Sequence, residues 1–530
     1  MTLQRESRRS LWLYPLVMSL VVSVVVVLLI LVADVPLSRI PEVIRTLGQG
    51  SSLSNAPQVA AAVLGIAITV VAIIVELAAN RYTPRIADLF FREPVNYLMM
   101  GFYVLVSIES TWAAAVQGTG ASVPAGSFIT QVLITLSFVS LLPYFAYVFA
   151  FLNPSDVVRR ISDKILSSIG RSAGGSDGQA ARVKAHAIEG VEQIADVALN
   201  AIEKKDKGIS IACLAAMGNL TRSYLAEKGA LPASWFAMDS AVLRNADFVS
   251  LGTGVAADIE RRRTWFEIKV FRQFQMIYNE ALNRLRDLDY VVAIETRLVA
   301  EEALKRNDME LLRSSFKFLN TFMRATINAK DVRTAYNLLN QYRLLIETVL
   351  RAGEVETACD AALRVRDYGQ LAFGNGLPFV LETAAYDLCS VNELAYDLTS
   401  PAQARLLDIF LTVDKEAGVG GEHEASLRGV RKAQIKLAAY YLLHGEKELA
   451  RRIFDDMAGE VPERLASIRD ELLHIEDREF WEVTDRGTNF DYLEPERKKI
   501  LGEFFNWFGD TLPPPASGRE NRSARPGKPT

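Results

Sequence analysis

The sequence predicts an all-α protein: an N-terminal four-helix transmembrane domain followed by a cytoplasmic helical domain that is solenoid-like and tetratricopeptide-like. Three observations predict it. Four apolar runs before Asn153 each reach the ~20 residues that a helix needs to cross a bilayer. The charges that flank those runs are asymmetric. Beyond Ser155, apolar residues recur at helical spacing with almost no alternating strand pattern.

The 530 residues suit two to four domains, and the apolar half of the composition is concentrated at the front. Before Asn153 there are eight Arg, no Lys and seven acidic residues; the remainder holds 51 basic and 56 acidic residues. That balance argues against a nucleic-acid partner, which needs a basic face to replace phosphate counterions. Cys213, Cys359 and Cys389 lie far apart with no CxxC pair, and read as buried small hydrophobes in a reducing compartment. The predicted division is 1–153 for the membrane domain and 154–257 for a first cytoplasmic helical segment. A solenoid-like domain over 258–511 and a disordered tail over 512–530 complete it.

The predicted spans are Leu11–Val32, Val59–Ala79, Val95–Val116 and Phe128–Leu152. Arg5, Arg8 and Arg9 precede the first. Arg81, Arg85 and Arg92 separate the second from the third, and Arg159, Arg160 and Lys164 follow the fourth. The two opposite loops are charge-balanced or uncharged, so both termini are expected in the cytoplasm. "SRRSLWL" also resembles a twin-arginine export signal. The core after it is too long and apolar for a cleaved signal, and no Ala-x-Ala site follows, which favours an anchor.

Along the second span Ala61, Gly65, Thr69, Ala72, Glu76 and Asn80 recur at spacings of four and three, on one face of a helix. Small residues let backbones approach closely, so this stripe is expected to pack against protein rather than lipid, as a seam or a pore lining. Glu76 needs a partner or water there. Thr83, Pro84 and Arg85 then form an elbow. Proline stops the span, and Thr83 with Pro84 suits the N-cap and first turn of a short interfacial helix. The third span carries Glu109 among Ser107, Ser110 and Thr111. Two carboxylates in neighbouring spans fit either a cation pathway or hydrogen-bonded packing, and the absence of an intramembrane Lys or Arg favours packing. In the fourth span Thr130, Ser137 and Tyr144 fall seven apart, with Pro143 predicting a kink.

These landmarks resemble a family of bacterial predicted membrane proteins of unknown function. Ser10, Trp12 and Pro15 match its approach to the first span. The run from Ala78 and Ala79 through Asn80, Arg81 and Tyr82 to Thr83, Pro84 and Arg85 matches its elbow, and Asn96 with Gly101-Phe102 follows. The resemblance covers Ser10 to Asn153. Gly190 to Leu220 looks like the family's next helix, but Lys205-Asp206-Lys207 stands where the family has an Asn-Asp-Pro turn. The resemblance implies a multi-pass protein of the bacterial inner membrane and carries no assigned activity.

In the cytoplasmic half, Ala438, Tyr441, Ala450, Phe454 and Pro462 fall at the offsets of a tetratricopeptide repeat. Ala335 and Ala358 sit in weaker hairpins after the turns "NAKD" and "RAGE". The spacing between units is irregular, so a plain helical bundle stays open beside the solenoid. Pro495 to Phe508 reads as an amphipathic helix that caps the stack, with membrane contact as the other reading.

No catalytic, cofactor-binding or metal-ligating residue is expected. His186, His423, His444 and His474 pair with nothing at ligand spacing, and P-loop, HExxH and GxSxG motifs are absent. Nothing argues for an enzyme. Two functions are left. One is a homo-oligomeric assembly in the lipid bilayer that conducts or regulates an ion or small solute, with the helical domain as a collar. The other is a membrane-anchored scaffold or sensor whose helical domain binds a cytosolic protein partner.

Overall fold

The computed structural model of the chain describes residues 53–81, 94–119, 124–151, 153–171, 177–415, 424–480, 482–487, 489–509 and 512–513. The predicted first span, the elbow at Thr83, Pro84 and Arg85, the short helix after it and the tail from 514 lie outside the described residues. Every described element is a helix, a turn or irregular chain, with no strand among the described residues. The described chain divides into two compact units. The first holds the residues up to Ser167 together with Glu192–Ala216; the second holds Ser168–Val191 and the chain from Met217 on.

The first unit is built on α1 (Ala56–Arg81), α2 (Pro94–Gly118) and α3 (Pro124–Phe151). Proline stands at the first position of both α2 and α3, where its missing N–H costs nothing. Each of the three is long and apolar enough to cross a membrane. Their shared core is Val63, Ala67, Val71 and Ile74 of α1 against Tyr103 of α2 and Tyr144 and Val148 of α3. Then come α4 (Pro154–Arg171), α5 (Asp177–Glu203) and α6 (Lys207–Glu227). Asn153 accepts from Ser155 N at 3.3 Å at the start of α4, a local cap that turns the chain out of the apolar run.

The turn between α5 and α6 gives the departure at Lys205-Asp206-Lys207 a structural meaning. Lys205 adopts φ 58°, the left-handed region that Asn tolerates better than Lys. Asp206 caps α6 by accepting from Ile209 N at 3.2 Å, and Lys207 is the first helical residue, where proline fits equally well.

The second unit takes the first part of α5 and the second part of α6, followed by two short helices, α7 (Ala233–Phe236) and α8 (Ser240–Leu243), and α9 (Thr253–Arg262). Buried rings hold this end together. Trp265 donates to Trp235 O at 2.7 Å, Trp235 donates to the Tyr224 hydroxyl at 3.1 Å, and Phe266 packs against all three rings. Paired helices follow: α10 (Trp265–Arg284), α11 (Asp287–Lys305), α12 (Met309–Asn328), α13 (Val332–Arg351), α14 (Val355–Gly374), α15 (Pro378–Asp397), α16 (Gln403–Leu411), α17 (Glu424–Leu443) and α18 (Lys447–Met457). They form two rows. Helices α10, α12, α14 and α16 touch in succession, as do α11, α13, α15 and α17. This is solenoid-like order rather than a single bundle.

One turn recurs between the helices. A residue with positive φ ends one helix, and the next residue donates back five positions: Asp308 N to Ala303 O, Asp331 N to Thr326 O, Glu354 N to Val349 O, and Glu446 N to Tyr441 O. The "NAKD" and "RAGE" segments are two of these turns. Ala335, Ala358, Ala438 and Ala450 are all fully buried where helices cross. Pro462 opens α19 (Pro462–His474), so it starts the next helix as much as it ends the hairpin. The last helix, α20 (Pro495–Asn506), packs on α17 and α19 through Leu501, Phe504 and Phe505, as a cap does.

Between α19 and α20 the described residues from 475 to 494 hold no helix. This strap lies on α13, α15 and α17. Its docking is polar and aromatic: Asp485 meets Arg333 and Asn337, Phe490 stacks on Tyr386 at 4.6 Å, and Asp491 accepts from the Tyr386 hydroxyl at 2.6 Å.

Candidate functional site

The intramembrane residues singled out in the sequence fall on two different surfaces. On α1, Ala61, Gly65, Thr69, Ala72 and Glu76 are all exposed, and a methyl group added at Gly65 would meet nothing within 4 Å. Asn80 lies in the same helix, its side chain outside the described set. The expectation that the stripe packs against protein is not met within the described chain. The larger side chains of the opposite face, Val63, Val71 and Ile74, enter the core instead. Branched side chains fill the space between α1, α2 and α3, and a flat small-residue face leaves nothing to interdigitate there.

Glu109 belongs to the second surface, a buried seam between α2 and α3. Three polar contacts cross it in order along the helices. Tyr144 donates to Asn96 Oδ1 at 3.4 Å, the Tyr103 and Ser140 hydroxyls lie 3.2 Å apart, and Thr130 donates to Glu109 Oε1 at 2.7 Å. Thr130, Ser137 and Tyr144 are each at most 3% exposed, so the sevenfold spacing marks the inward face of α3. Ser107 and Ser110 return their hydroxyls to backbone carbonyls of α2 and add nothing across the seam. Glu109 Oε2 is buried with no hydrogen-bond partner among the described residues. In hydrocarbon, hydrogen bonds of this kind join helices at modest strength, about 0.6–2 kcal/mol each. The sequence reading missed Asn96, Tyr103 and Ser140 as seam residues. Their signal was there, since Asn96 and Tyr103 are seven apart and line up with Ser110.

The second unit has a site the sequence did not disclose, where the strap meets the helices. Arg486 is 6% exposed and bridges to Asp387 of α15 at 2.6 and 3.2 Å, while donating to Tyr336 O of α13. Its guanidinium lies 4.2 Å from the centre of the Tyr336 ring. Asp387, itself 4% exposed, also receives Arg343 at 3.3 Å. Farther along, Lys432 of α17 joins Asp491 and Glu471, each at 2.7 Å. Glu382 lies over Gly429, whose missing side chain makes its room: a methyl group there would come within 2.2 Å of the Glu382 carboxyl carbon. Burial, and then Asp491, pushes the Glu382 carboxyl up to about 7 against the pull of Lys432.

Cys213, Cys359 and Cys389 are buried and unpaired, as predicted for small hydrophobes, and burial raises the thiol of each. No group of His, Cys, Asp and Glu among the described residues could hold a metal ion. Of the histidines, His444 and His474 turn their rings to the carbonyls of their own helices.

The three apolar helices, the seam that joins two of them and the landmarks before Asn153 can now be set beside known proteins. Residues 8–210 match the family described as "Predicted membrane protein (DUF2254)". The DUF2254 match takes in α1 to α5 and ends inside α6, just past the Lys205–Lys207 turn. It covers the polar seam and the exposed stripe, and it does not reach the strap. No curated protein and no solved structure matches the chain. Residues 8–210 are thus similar to a family of predicted membrane proteins, and three described helices in that stretch are long and apolar enough to cross a membrane.

Proposed function

We propose that the protein works as a homo-oligomeric assembly in the bacterial inner membrane that conducts or regulates an ion or small solute. In this reading the second unit is a cytoplasmic collar. One observation supports it above the others: the α1 face that carries Ala61, Gly65, Thr69, Ala72 and Glu76 is exposed, while the opposite face makes the chain's own core. A carboxylate facing hydrocarbon is disfavoured, by about 2.5–3.5 kcal/mol at the bilayer centre and by less toward the ends. Covering it with a second copy removes that cost. Small residues on both helices then let the backbones approach closely, as in other small-xxx-small contacts. Copies that meet along this face place their Glu76 carboxylates near one another, a ring of charge suited to cations.

Two measurements test the reading. Gly65→Cys has open space for its side chain and should give disulfide-linked dimers in native membranes under mild oxidation; a chain that stays monomeric there removes the seam. Glu76→Gln in reconstituted vesicles should change cation flux or its pH dependence. Unchanged flux in a conducting sample removes Glu76 from the pathway. Specific cytosolic partners with no flux at all would favour the scaffold instead.

A further inference from the structure

The strap does not lie flat on its helices. Between it and α13, α15 and α17 a chamber of about 430 Å³ stays open. Its charges are not balanced. Asp387 serves two guanidiniums at once, those of Arg486 and of Arg343, which also pairs with Glu347. Glu393 and Glu494 are both taken by Arg497, and Asp485 is taken by Arg333 and Asn337. Two cations on the wall are left over. Lys436 donates to the carbonyls of Phe490 and Tyr492 and lies 5.6 Å from the centre of the Tyr386 ring, burial draws its amine below the usual lysine range, and no carboxylate lies within ion-pair distance of it among the described residues. Arg478 has no side-chain hydrogen bond or ion pair among the described residues, and Arg486 Nε is buried without an acceptor.

Surplus positive charge on walls of low dielectric focuses the field into the chamber. Unspent guanidinium N–H groups match the geometry of phosphate and carboxylate oxygens. We propose that this chamber binds a small multivalent oxyanion, bearing phosphate or carboxylate groups, between Lys436 and Arg478. Such a ligand touches the strap through Arg478 and Arg486 and the helices through Lys436 and Arg343. Its binding therefore adds to the docking of the strap, because it favours the closed arrangement over any in which the strap has lifted.

The test uses the full chain in detergent or nanodiscs, with pyrophosphate and citrate as probes in titration calorimetry. At least one should bind with Kd below about 1 mM at moderate salt, weakening as ionic strength rises. The saturating probe should also slow tryptic cutting after Arg486 by about tenfold or more, since a buried site is cut only when it opens. Arg478→Ala removes an exposed side chain with no structural partner and should fold normally, yet weaken binding about tenfold. Lys436→Met should do the same, with circular dichroism as the check on folding. Absence of binding by both probes overturns the proposal. So does binding that neither substitution weakens.

Discussion

Asp387→Ala is the perturbation that reads the strap most directly. The carboxylate is buried and receives Arg486 from the strap and Arg343 from α13, so its loss leaves two guanidiniums without their common counter-charge. Arg486 would keep only the Tyr336 carbonyl and its contacts with the Tyr336 and Phe490 rings. Breaking a buried pair by removing one partner costs about 3–5 kcal/mol. Arg343 retains Glu347, so the lower end applies, and about 3 kcal/mol corresponds to a hundredfold or greater rise in the undocked strap. Tryptic cutting after Arg486 follows that population when closing outpaces cleavage. The cut should therefore accelerate by about two powers of ten, with the helical circular dichroism unchanged. Asp387→Asn, which keeps a hydrogen-bond acceptor, should fall between. A cutting rate within about threefold of the parent protein would refute the reasoning, since so small a change is under 1 kcal/mol.

Other consequences are simpler to measure. Lys205→Asn should raise thermal stability by up to about 1 kcal/mol, because it relieves a left-handed residue at the α5–α6 turn. No gain would show that Lys205 makes a compensating contact. Gly218→Ala should cost about 1–3 kcal/mol, since its methyl group would lie 1.9 Å from Glu295 Oε2, the partner of Arg222. Glu382 is protonated more readily in the folded chain than the usual 4.5, holding its proton to about 7, so its contribution to stability is complete at low pH and is lost as pH rises through that window. The whole effect is at most about 3 kcal/mol, and Glu382→Gln should flatten the fall in melting temperature between about pH 5 and 7.

Much of the scaffold was legible because it depends on local pattern. The three described apolar helices begin and end within a few residues of the predicted spans, since run length and flanking proline are properties of adjacent residues. The turns at "NAKD" and "RAGE" were legible for the same reason. The direction of the α1 stripe was not. In water the apolar face of a helix is the buried one, but in lipid both faces are free of that constraint. A stripe of small residues marks a distinct surface without saying whether the chain's own helices or another copy cover it. The left-handed Lys205 at the α5–α6 turn was hidden because a lysine there does not announce positive φ as Gly or Asn would. The strap was beyond reach because its anchors join distant positions, Arg486 to Asp387 and Asp485 to Arg333. Ion pairs between charges so far apart in sequence leave no periodic trace, and the 475–494 segment has no helical pattern to announce it.

The account turns on copies of the chain meeting along the exposed α1 face in a bilayer. Native mass spectrometry of the protein released from nanodiscs measures that directly. The prediction is one dominant species at a small whole multiple of 58.7 kDa, which Gly65→Trp breaks down to single chains. A parent protein found only as a 58.7 kDa monomer in lipid would contradict it.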